Sequence, residues 1–209
     1  YFIPFAGLKL RMAGPVLGRI AKSELGDRFV SANLPMLHKR TLDEIGQSEF
    51  RPDINRDKCK VDLHGEFERQ FFGDVMLFTV EQLTESGYPD KKVTEDSVRQ
   101  LLFATEDRIY QKYLTKQSQI QVKLAELVAV FENEGNWWNN NPNMQSSRLS
   151  IECFIENINN NFSDDSPALK LLNSNEHREK RRDEILNAIM TLSNDRLSWI
   201  QALNEIAES

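Results

Sequence analysis

The sequence predicts a mainly α-helical fold, with an irregular N-terminal third followed by a bundle that includes two long helices. Glycine and proline punctuate residues 1 to 60 so often that any regular element there must be short. No glycine or proline interrupts residues 94 to 134, where apolar side chains recur at helical steps. Similar spacing occurs between residues 176 and 206. These two stretches are the long helices, and their isoleucine and leucine stripes should pack together.

Two short elements are expected in the irregular third. Pro15 suits the first turn of a helix that runs to about Leu25, with Gly26 as its stop. Residues 29 to 34 are typical of a short strand, although the following Pro35 limits it to the edge or the end of a sheet. This third of the chain is therefore expected to be irregular, with this helix and one or two short strands.

Helical periodicity dominates the rest of the chain. A helix begins near Glu66 and stops at Gly87 and Pro89, a pair that commonly ends helices. Residues 94 to 134 predict either one long helix or two helices joined by a kink near residues 115 to 118. Shorter helices are expected at residues 151 to 158 and 168 to 172.

We place a domain boundary between residues 93 and 94. Residues 1 to 93 are expected to form an irregular and helical lobe that holds the candidate site. Residues 94 to 209 are expected to form a helical accessory region. Because the chain opens at Tyr1 and not at a methionine, we also expect it to be a piece of a longer protein.

Composition argues against nucleic acid and membrane partners. The 209 residues carry a formal net charge of −6, so the chain lacks the broad positive field that nucleic acid favours. Glutamate interrupts the basic run from His177 to Arg182, which predicts a solvated helix face with His177 exposed. No apolar run approaches the roughly 20 residues of a membrane helix. Two isolated cysteines, Cys59 and Cys153, suggest a reducing compartment, and we expect a cytoplasmic location.

The helix that begins near Glu66 holds the first candidate site. Glu66, Glu68, Arg69 and Asp74 lie among aromatic side chains, where charged groups are costly unless they are paired or used. Glu66 or Glu68 could act as a general base, and Arg69 and Asp74 could bind substrate. The alternative is structural, because carboxylates are favoured at a helix N-terminus and Glu68 or Arg69 could pair with a neighbouring helix.

A second candidate lies in the irregular third. His38 is followed by Lys39 and Arg40, a set that could ligate a metal ion through the imidazole and grip a phosphate through the cations. A lone histidine is more often a hydrogen-bonded structural residue or simply exposed, and the same holds for His64. The three histidines do not have the H-E-x-x-H spacing of a metal site.

Two adjacent indoles, Trp137 and Trp138, form a third candidate. They lie in residues 135 to 147, where asparagine, proline and serine predict a loop. Indoles in such a loop could stack on a sugar or a base. We favour the alternative in which one indole fills space in the helical bundle and the other lies on its surface.

Three segments within the first 90 residues share a pattern with a known family. They are N-L-P-M-L-H-K-R-T at residues 33 to 41, S-E-F-R-P at 48 to 52 and G-E-F-E-R-Q-F-F-G-D-V-M-L-F at 65 to 78. They resemble the later, acceptor-side part of bacterial nucleotide-sugar glycosyltransferases with a GT-A-type core. The resemblance implies that His38 helps to hold a divalent metal, Mg²⁺ or Mn²⁺, and the diphosphate. It also implies that Glu66 or Glu68 is the catalytic base.

The chain departs from that family in two respects. GT-A enzymes carry an earlier α/β half with a D-x-D metal motif, and this chain has neither the alternating β-α pattern nor a D-x-D. If the resemblance holds, the donor-binding half precedes Tyr1, and the part present here is an acceptor-side lobe with a helical extension.

Two functions from different classes follow from the sequence. The first is the C-terminal part of a glycosyltransferase that moves a sugar from a nucleotide donor to an unknown acceptor. It requires His38 and Glu66 or Glu68 to line one cleft, with carboxylates that structural ion pairs do not occupy. The alternative is a non-enzymatic helical scaffold or oligomerisation protein that forms a homo-oligomer. It requires an exposed apolar stripe on one of the long helices.

Overall fold

The computed structural model describes residues 2 to 32 and 63 to 208, and within them the chain is mainly α-helical, as predicted. These ranges contain no strand. Of the strand predicted at residues 29 to 34, residues 29 to 32 are irregular, and the other two lie outside the described ranges. The helices are α1 (Ala13–Leu25), α2 (His64–Glu85), α3 (Glu95–Phe131), α4 (Gln145–Phe162), α5 (Pro167–Asn173) and α6 (Asn175–Glu208).

Both long helices have bounds close to the prediction. α3 is one continuous helix of 37 residues, without a break near residues 115 to 118, and α6 has 34 residues. The largest difference is α4, which begins at Gln145, whereas apolar spacing indicated a start at Ile151. Mostly polar residues fill the beginning of α4, so apolar periodicity does not reveal it. None of the described helices is both long and apolar enough to cross a lipid bilayer.

The chain divides into two compact units. The first combines the N-terminal segment up to Phe29 with Phe67–Lys116 and Lys170–Ser209. The described part of the second is chiefly Gln117–Leu169, which contains the end of α3 and all of α4. The sequence instead suggested a boundary between residues 93 and 94. The two divisions differ because α6 packs back onto the N-terminal elements, a long-range contact that spacing along the chain does not reveal.

α2 is the central helix of the first unit. Phe71, Phe72, Val75 and Met76 have no exposed surface, so neighbouring residues on several sides of the helix are buried. Burial of each such side chain contributes about 1.5 to 3 kcal/mol. The other helices contribute Val16 and Ile20 (α1), Val98, Leu102 and Ile109 (α3), Leu172 (α5), and Ile185, Ile189 and Leu192 (α6).

The N-terminal segment lies directly on α2. Gly73 permits this approach, since a Cβ atom at that position would lie 2.5 Å from the carbonyl oxygen of Arg11. The Arg11 amide donates to Arg69 O at 3.2 Å, and Arg69 Nε donates to Lys9 O at 2.7 Å. Lys9 and Met12 adopt the left-handed region, with φ of 54° and 74°, and turn the segment sharply on either side of these contacts. Hydrogen bonds to the backbone thus fix the path of this segment across α2.

In the second unit α3 and α4 form an antiparallel hairpin. The side-chain amides of Gln117 and Gln121, in the second half of α3, both donate to Phe162 O at the end of α4, at 3.2 and 2.7 Å. The guanidinium of Arg148, early in α4, lies 5.8 Å from the ring centre of Phe131 at the end of α3. Contacts near both ends of the pair therefore define the hairpin.

Candidate functional site

Glu68, which the sequence offered as a catalytic base, belongs to a buried ion network with α6. The residue is only 4% exposed. Its Oε1 atom lies 2.6 Å from Arg181 Nε and 3.0 Å from His177 Nε2, while Arg181 Nη2 donates to Oε2 at 3.2 Å. Arg181 also donates to Glu184 Oε2 at 2.7 Å. Basic side chains of α6 therefore occupy both carboxylate oxygens of Glu68.

Glu106 of α3 is the second buried carboxylate of this network, and its side chain has no exposed surface. Arg182 Nη1 donates to Oε2 of Glu106 at 2.7 Å, and Arg178 Nε donates to Oε1. The two guanidinium groups also pack on aromatic rings. Arg182 lies 4.2 Å from the ring centre of Phe103, and Arg178 lies 5.1 Å from that of Tyr110. Each cation is thus both paired and partly desolvated.

The basic run of α6 is not the solvated face that its interleaved charges predicted. His177 and Arg181 are four residues apart and reach Glu68, while Arg178 and Arg182 have the same spacing and reach Glu106. His177 is half-buried, with its side chain 22% exposed, so the prediction of an exposed histidine is wrong. The spacing of four was a visible signal for one shared helix face. The acidic partners were not visible, because they lie on other helices far away in sequence.

The network holds α6 in place, and its ion pairs occupy the carboxylate of Glu68. A general base must reach a proton of its substrate, and the oxygens of Glu68 are already engaged by cations. Replacing a buried ion pair with apolar groups is often neutral, but removing one partner leaves a buried charge uncompensated. The six residues therefore set the register of α6 on α2 and α3. They are Glu68, Glu106, His177, Arg178, Arg181 and Arg182.

The other predicted site residues of α2 have separate partners. Arg69 Nε binds Lys9 O, whereas Asp74 accepts from Gln70 Nε2 and from the Tyr113 hydroxyl, each at 2.8 Å. Glu68, Arg69 and Asp74 therefore contact three different segments, which are α6, the N-terminal segment and α3. Glu66 is half-buried in the first turn of α2 and falls within the second unit. The metal and phosphate candidates, His38, Lys39 and Arg40, lie outside the described residues.

The part of the chain that the structure describes contains no group of three or more histidine, cysteine, aspartate or glutamate side chains arranged to hold a metal ion. The Mg²⁺ or Mn²⁺ site inferred from the glycosyltransferase resemblance depends on His38, which this part does not include. The divalent metal therefore stays a prediction.

The buried Tyr88 and the half-buried Tyr113 should ionise late in an alkaline titration. Burial raises the pKa of the Tyr88 phenol, whose hydroxyl donates to Ile189 O at 2.9 Å. Burial, together with the negative charge of Asp74, raises the pKa of Tyr113. Both phenols should stay neutral in the folded protein above about pH 10, the ordinary tyrosine pKa. The unfolded chain then binds fewer protons than the folded one, so the free energy of unfolding should fall as the pH rises above that value.

The measurement is phenolate absorbance during an alkaline titration, with and without urea. In Tyr113→Phe, the late-ionising fraction of the native protein should shrink by one phenol. If all four tyrosines ionise together near pH 10 while the circular dichroism remains native, the environment described for Tyr88 and Tyr113 is incorrect.

The C-terminal half of α6 carries an exposed apolar surface. The sequence predicted one apolar stripe along this helix, and the structure divides it in two. Ile185, Ile189 and Leu192 are buried in the first unit. We call the exposed continuation the α6 stripe. It consists of Trp199 (39% exposed), Ile200 (55%), Leu203 (44%) and Ile206 (70%).

The α6 stripe continues the heptad spacing of the buried half of the helix. Positions 189, 192, 196, 199, 203 and 206 follow alternating steps of three and four. Arg196 interrupts the apolar series, and its Nη2 binds Glu24 Oε2 of α1 at 3.1 Å. The ring of Phe2 lies 6.4 Å from that of Trp199, so the N-terminal segment borders the stripe. The same helix face is therefore core before Arg196 and surface after it.

Comparisons of the chain with models of protein families, with curated proteins and with solved structures found no match.

Proposed function

We propose that this chain is a helical interaction protein that self-associates through the α6 stripe. The observation that supports the proposal is the exposed apolar surface from Trp199 to Ile206, on a helix whose preceding turns are buried in the same register. Exposed apolar patches of this kind mark interaction sites. The predicted catalytic residue Glu68, by contrast, is occupied by structural ion pairs.

A second copy of this chain fits the stripe in pattern and charge. The a, d and e positions of the last two turns are apolar, and Ala202 lies at g beside them. Glu205 and Glu208 fall at c and f, on the far side of the helix. Two such helices can therefore pair symmetrically without opposing like charges across the seam.

The size of the surface also suits a weak dimer. Leu197, 66% exposed, flanks the four residues of the stripe. Together these side chains expose on the order of 500 Å², so two copies would bury about 1,000 Å², near the lower limit of a specific interface. We expect reversible association that depends on protein concentration.

Leu203→Glu tests the proposal. A glutamate in the centre of the seam would be buried without a partner, so the dimer dissociation constant should rise about 100-fold. The measurement is molar mass by light scattering over a range of concentrations, with circular dichroism to verify the fold. Val122→Glu is the matched control, since Val122 is 57% exposed on α3 and lies outside the stripe. A monomeric wild-type chain, or equal effects of the two variants, would contradict the proposal.

Sugar transfer from a nucleotide donor stays a prediction from the resemblance. Its test is binding of a nucleotide sugar with added Mg²⁺ or Mn²⁺, followed by calorimetry, in wild type and in His38→Ala. Binding that requires both the metal and His38 would support the glycosyltransferase. Binding that His38→Ala leaves intact would count against it.

A further inference from the structure

An apolar cavity of about 230 Å³ lies at one end of the α3–α4 hairpin. It is wholly within the second unit, and the α6 stripe belongs to the first, so its role is independent of self-association. Two of its walls are aromatic, Phe131 from α3 and Trp138 from the connecting loop. Ser147 and Arg148 are its polar lining residues. The full lining consists of Leu127, Val130, Phe131, Trp138, Met144, Ser147, Arg148 and Ile151.

The loop that carries Trp138 is held by its own side chains. Asn136 Nδ2 donates to Val130 O, and Asn139 Nδ2 donates to Asn133 O, both at 2.7 Å. Arg148 Nη1 of α4 donates to Asn139 O at 2.8 Å. The first of these bonds satisfies a carbonyl group in the last turn of α3, and the other two hold carbonyl groups of the loop itself. The cavity is therefore preformed, which lowers the entropic cost of binding.

The size and the lining of the cavity suit one aromatic ring. A dry apolar cavity of roughly 150 Å³ accepts benzene, so about 230 Å³ is ample for a ring and its first substituent atoms. Phe131 and Trp138 provide surfaces for edge-to-face contacts. Trp137, which is 66% exposed, makes an edge-to-face contact with Trp138, with ring centres 5.9 Å apart and an interplanar angle of 79°. Trp137 therefore lies on the surface, and Trp138 is half-buried.

A polar recess adjoins the cavity and determines the charge that it favours. The recess measures about 650 Å³ and shares Phe131 and Arg148 with the apolar cavity. Three carboxylates, those of Glu132, Glu134 and Glu152, line it, against the single guanidinium of Arg148. The net negative charge favours a cation on the substituent of the ring.

We propose that the cavity and its recess bind a small arylalkylammonium compound. The aromatic ring enters the apolar cavity between Phe131 and Trp138. A short alkyl chain then carries the ammonium group into the recess beside Glu132, Glu134 and Glu152. Burial of the ring provides most of the affinity, and the carboxylates select the positive charge.

Trp138 serves as the reporter for a binding experiment. The chain has three tryptophans, so Trp137→Phe/Trp199→Phe leaves Trp138 as the single indole emitter. The probes are 2-phenylethylamine, its neutral analogue 2-phenylethanol and the anion 3-phenylpropionate. We expect saturable quenching, with 2-phenylethylamine binding about tenfold more tightly than 3-phenylpropionate and with 2-phenylethanol between them. Equal affinities, the reverse order or no saturable quenching would overturn the proposal.

Three variants separate the ring site from the charge site: a matched pair of serine substitutions and one double glutamate substitution. Ser147→Phe, in the reporter background, fills the cavity and should abolish quenching by all three probes. Ser150→Phe adds the same ring to α4 outside the cavity lining and should leave quenching unchanged. Glu134→Gln/Glu152→Gln should remove the preference for 2-phenylethylamine while the affinity for 2-phenylethanol stays the same. Binding that survives Ser147→Phe, or a charge preference that survives the double substitution, would contradict the assigned geometry.

Discussion

Glutamine in place of Glu106 is expected to lower the free energy of unfolding by about 3 kcal/mol. The Glu106 side chain has no exposed surface and binds two guanidinium groups of α6, those of Arg178 and Arg182. Without the carboxylate, Arg182 would stay partly buried without this partner, and Arg178 would keep only the longer contact of its Nη2 atom with Asp107, at 3.4 Å. The measurement is urea denaturation followed by circular dichroism, with the slope compared between wild type and variant to verify that two-state unfolding is retained.

Glu126→Gln is the matched control, since it makes the same change at an exposed position of the same helix. It should alter the free energy of unfolding by less than about 0.5 kcal/mol. Glu106→Gln/Arg182→Gln should cost less than the sum of the two single substitutions, because the second change removes a cation that the first left unpaired. Additive costs, or a Glu106→Gln effect no larger than that of the control, would mean that the network does not hold α6.

Alanine in place of Gly73 should destabilise the protein by about 2 to 3 kcal/mol. The added Cβ would lie 2.5 Å from Arg11 O, and this neighbour is backbone, which cannot rotate away as a side chain would. Either α2 or the N-terminal segment must shift, and the bond from the Arg11 amide to Arg69 O would be strained or lost. The free energy of unfolding is again measured in urea, and limited proteolysis should show earlier cleavage near Lys9 and Arg11.

Gly18→Ala tests whether this effect is specific to the contact. Gly18 lies inside α1, and an added Cβ there would meet nothing within 4 Å. Alanine is favoured over glycine in a helix, so this variant should gain up to about 1 kcal/mol. The two substitutions are chemically identical and have opposite expected signs. A stable Gly73→Ala variant with unchanged proteolysis would show that the N-terminal segment is not packed against α2 as described.

The two halves of α6 have complementary roles. Before Arg196, the buried ion network and the apolar core fix the rotation of the helix about its axis. Because α6 is one continuous helix, the same rotation determines which way the stripe from Trp199 to Ile206 points. Loss of the network through Glu106→Gln should therefore weaken self-association as well as stability. Leu203→Glu should affect association alone, since Leu203 is an exposed side chain.

The helices were largely predictable because their signals are local. Uninterrupted apolar spacing located α3 and α6 to within a few residues, and Gly87 marked the region where α2 ends. The start of α4 was missed because its first turns are mostly polar. The exposed apolar stripe was visible as spacing, but spacing alone does not distinguish a core face from a surface face. Whether a stretch of this face is core or surface depends on how far along α6 the neighbouring segments cover it, and the change occurs at Arg196.

The candidate site was predictable only as a set of residues. The sequence identified Glu68, Arg69 and Asp74 as ionisable groups beside an aromatic core, and α2 does carry them there. Their partners could not be read from spacing, because Arg181 is 113 positions from Glu68 and Tyr113 is 39 positions from Asp74. A structural pair and a catalytic carboxylate have the same local pattern, so the assignment required the tertiary contacts.

The sequence by itself determined the mainly helical class, the two long helices and the apolar face of α6, because each is a periodic pattern with local causes. The tertiary structure decided what each face does. It turned the basic run of α6 inward onto Glu68 and Glu106, and it left the stripe from Trp199 to Ile206 exposed. It also formed an apolar cavity beside Trp138 that is open to solvent on one side. These outcomes depend on contacts between distant segments, whose burial and charge compensation arise only when the chain is folded.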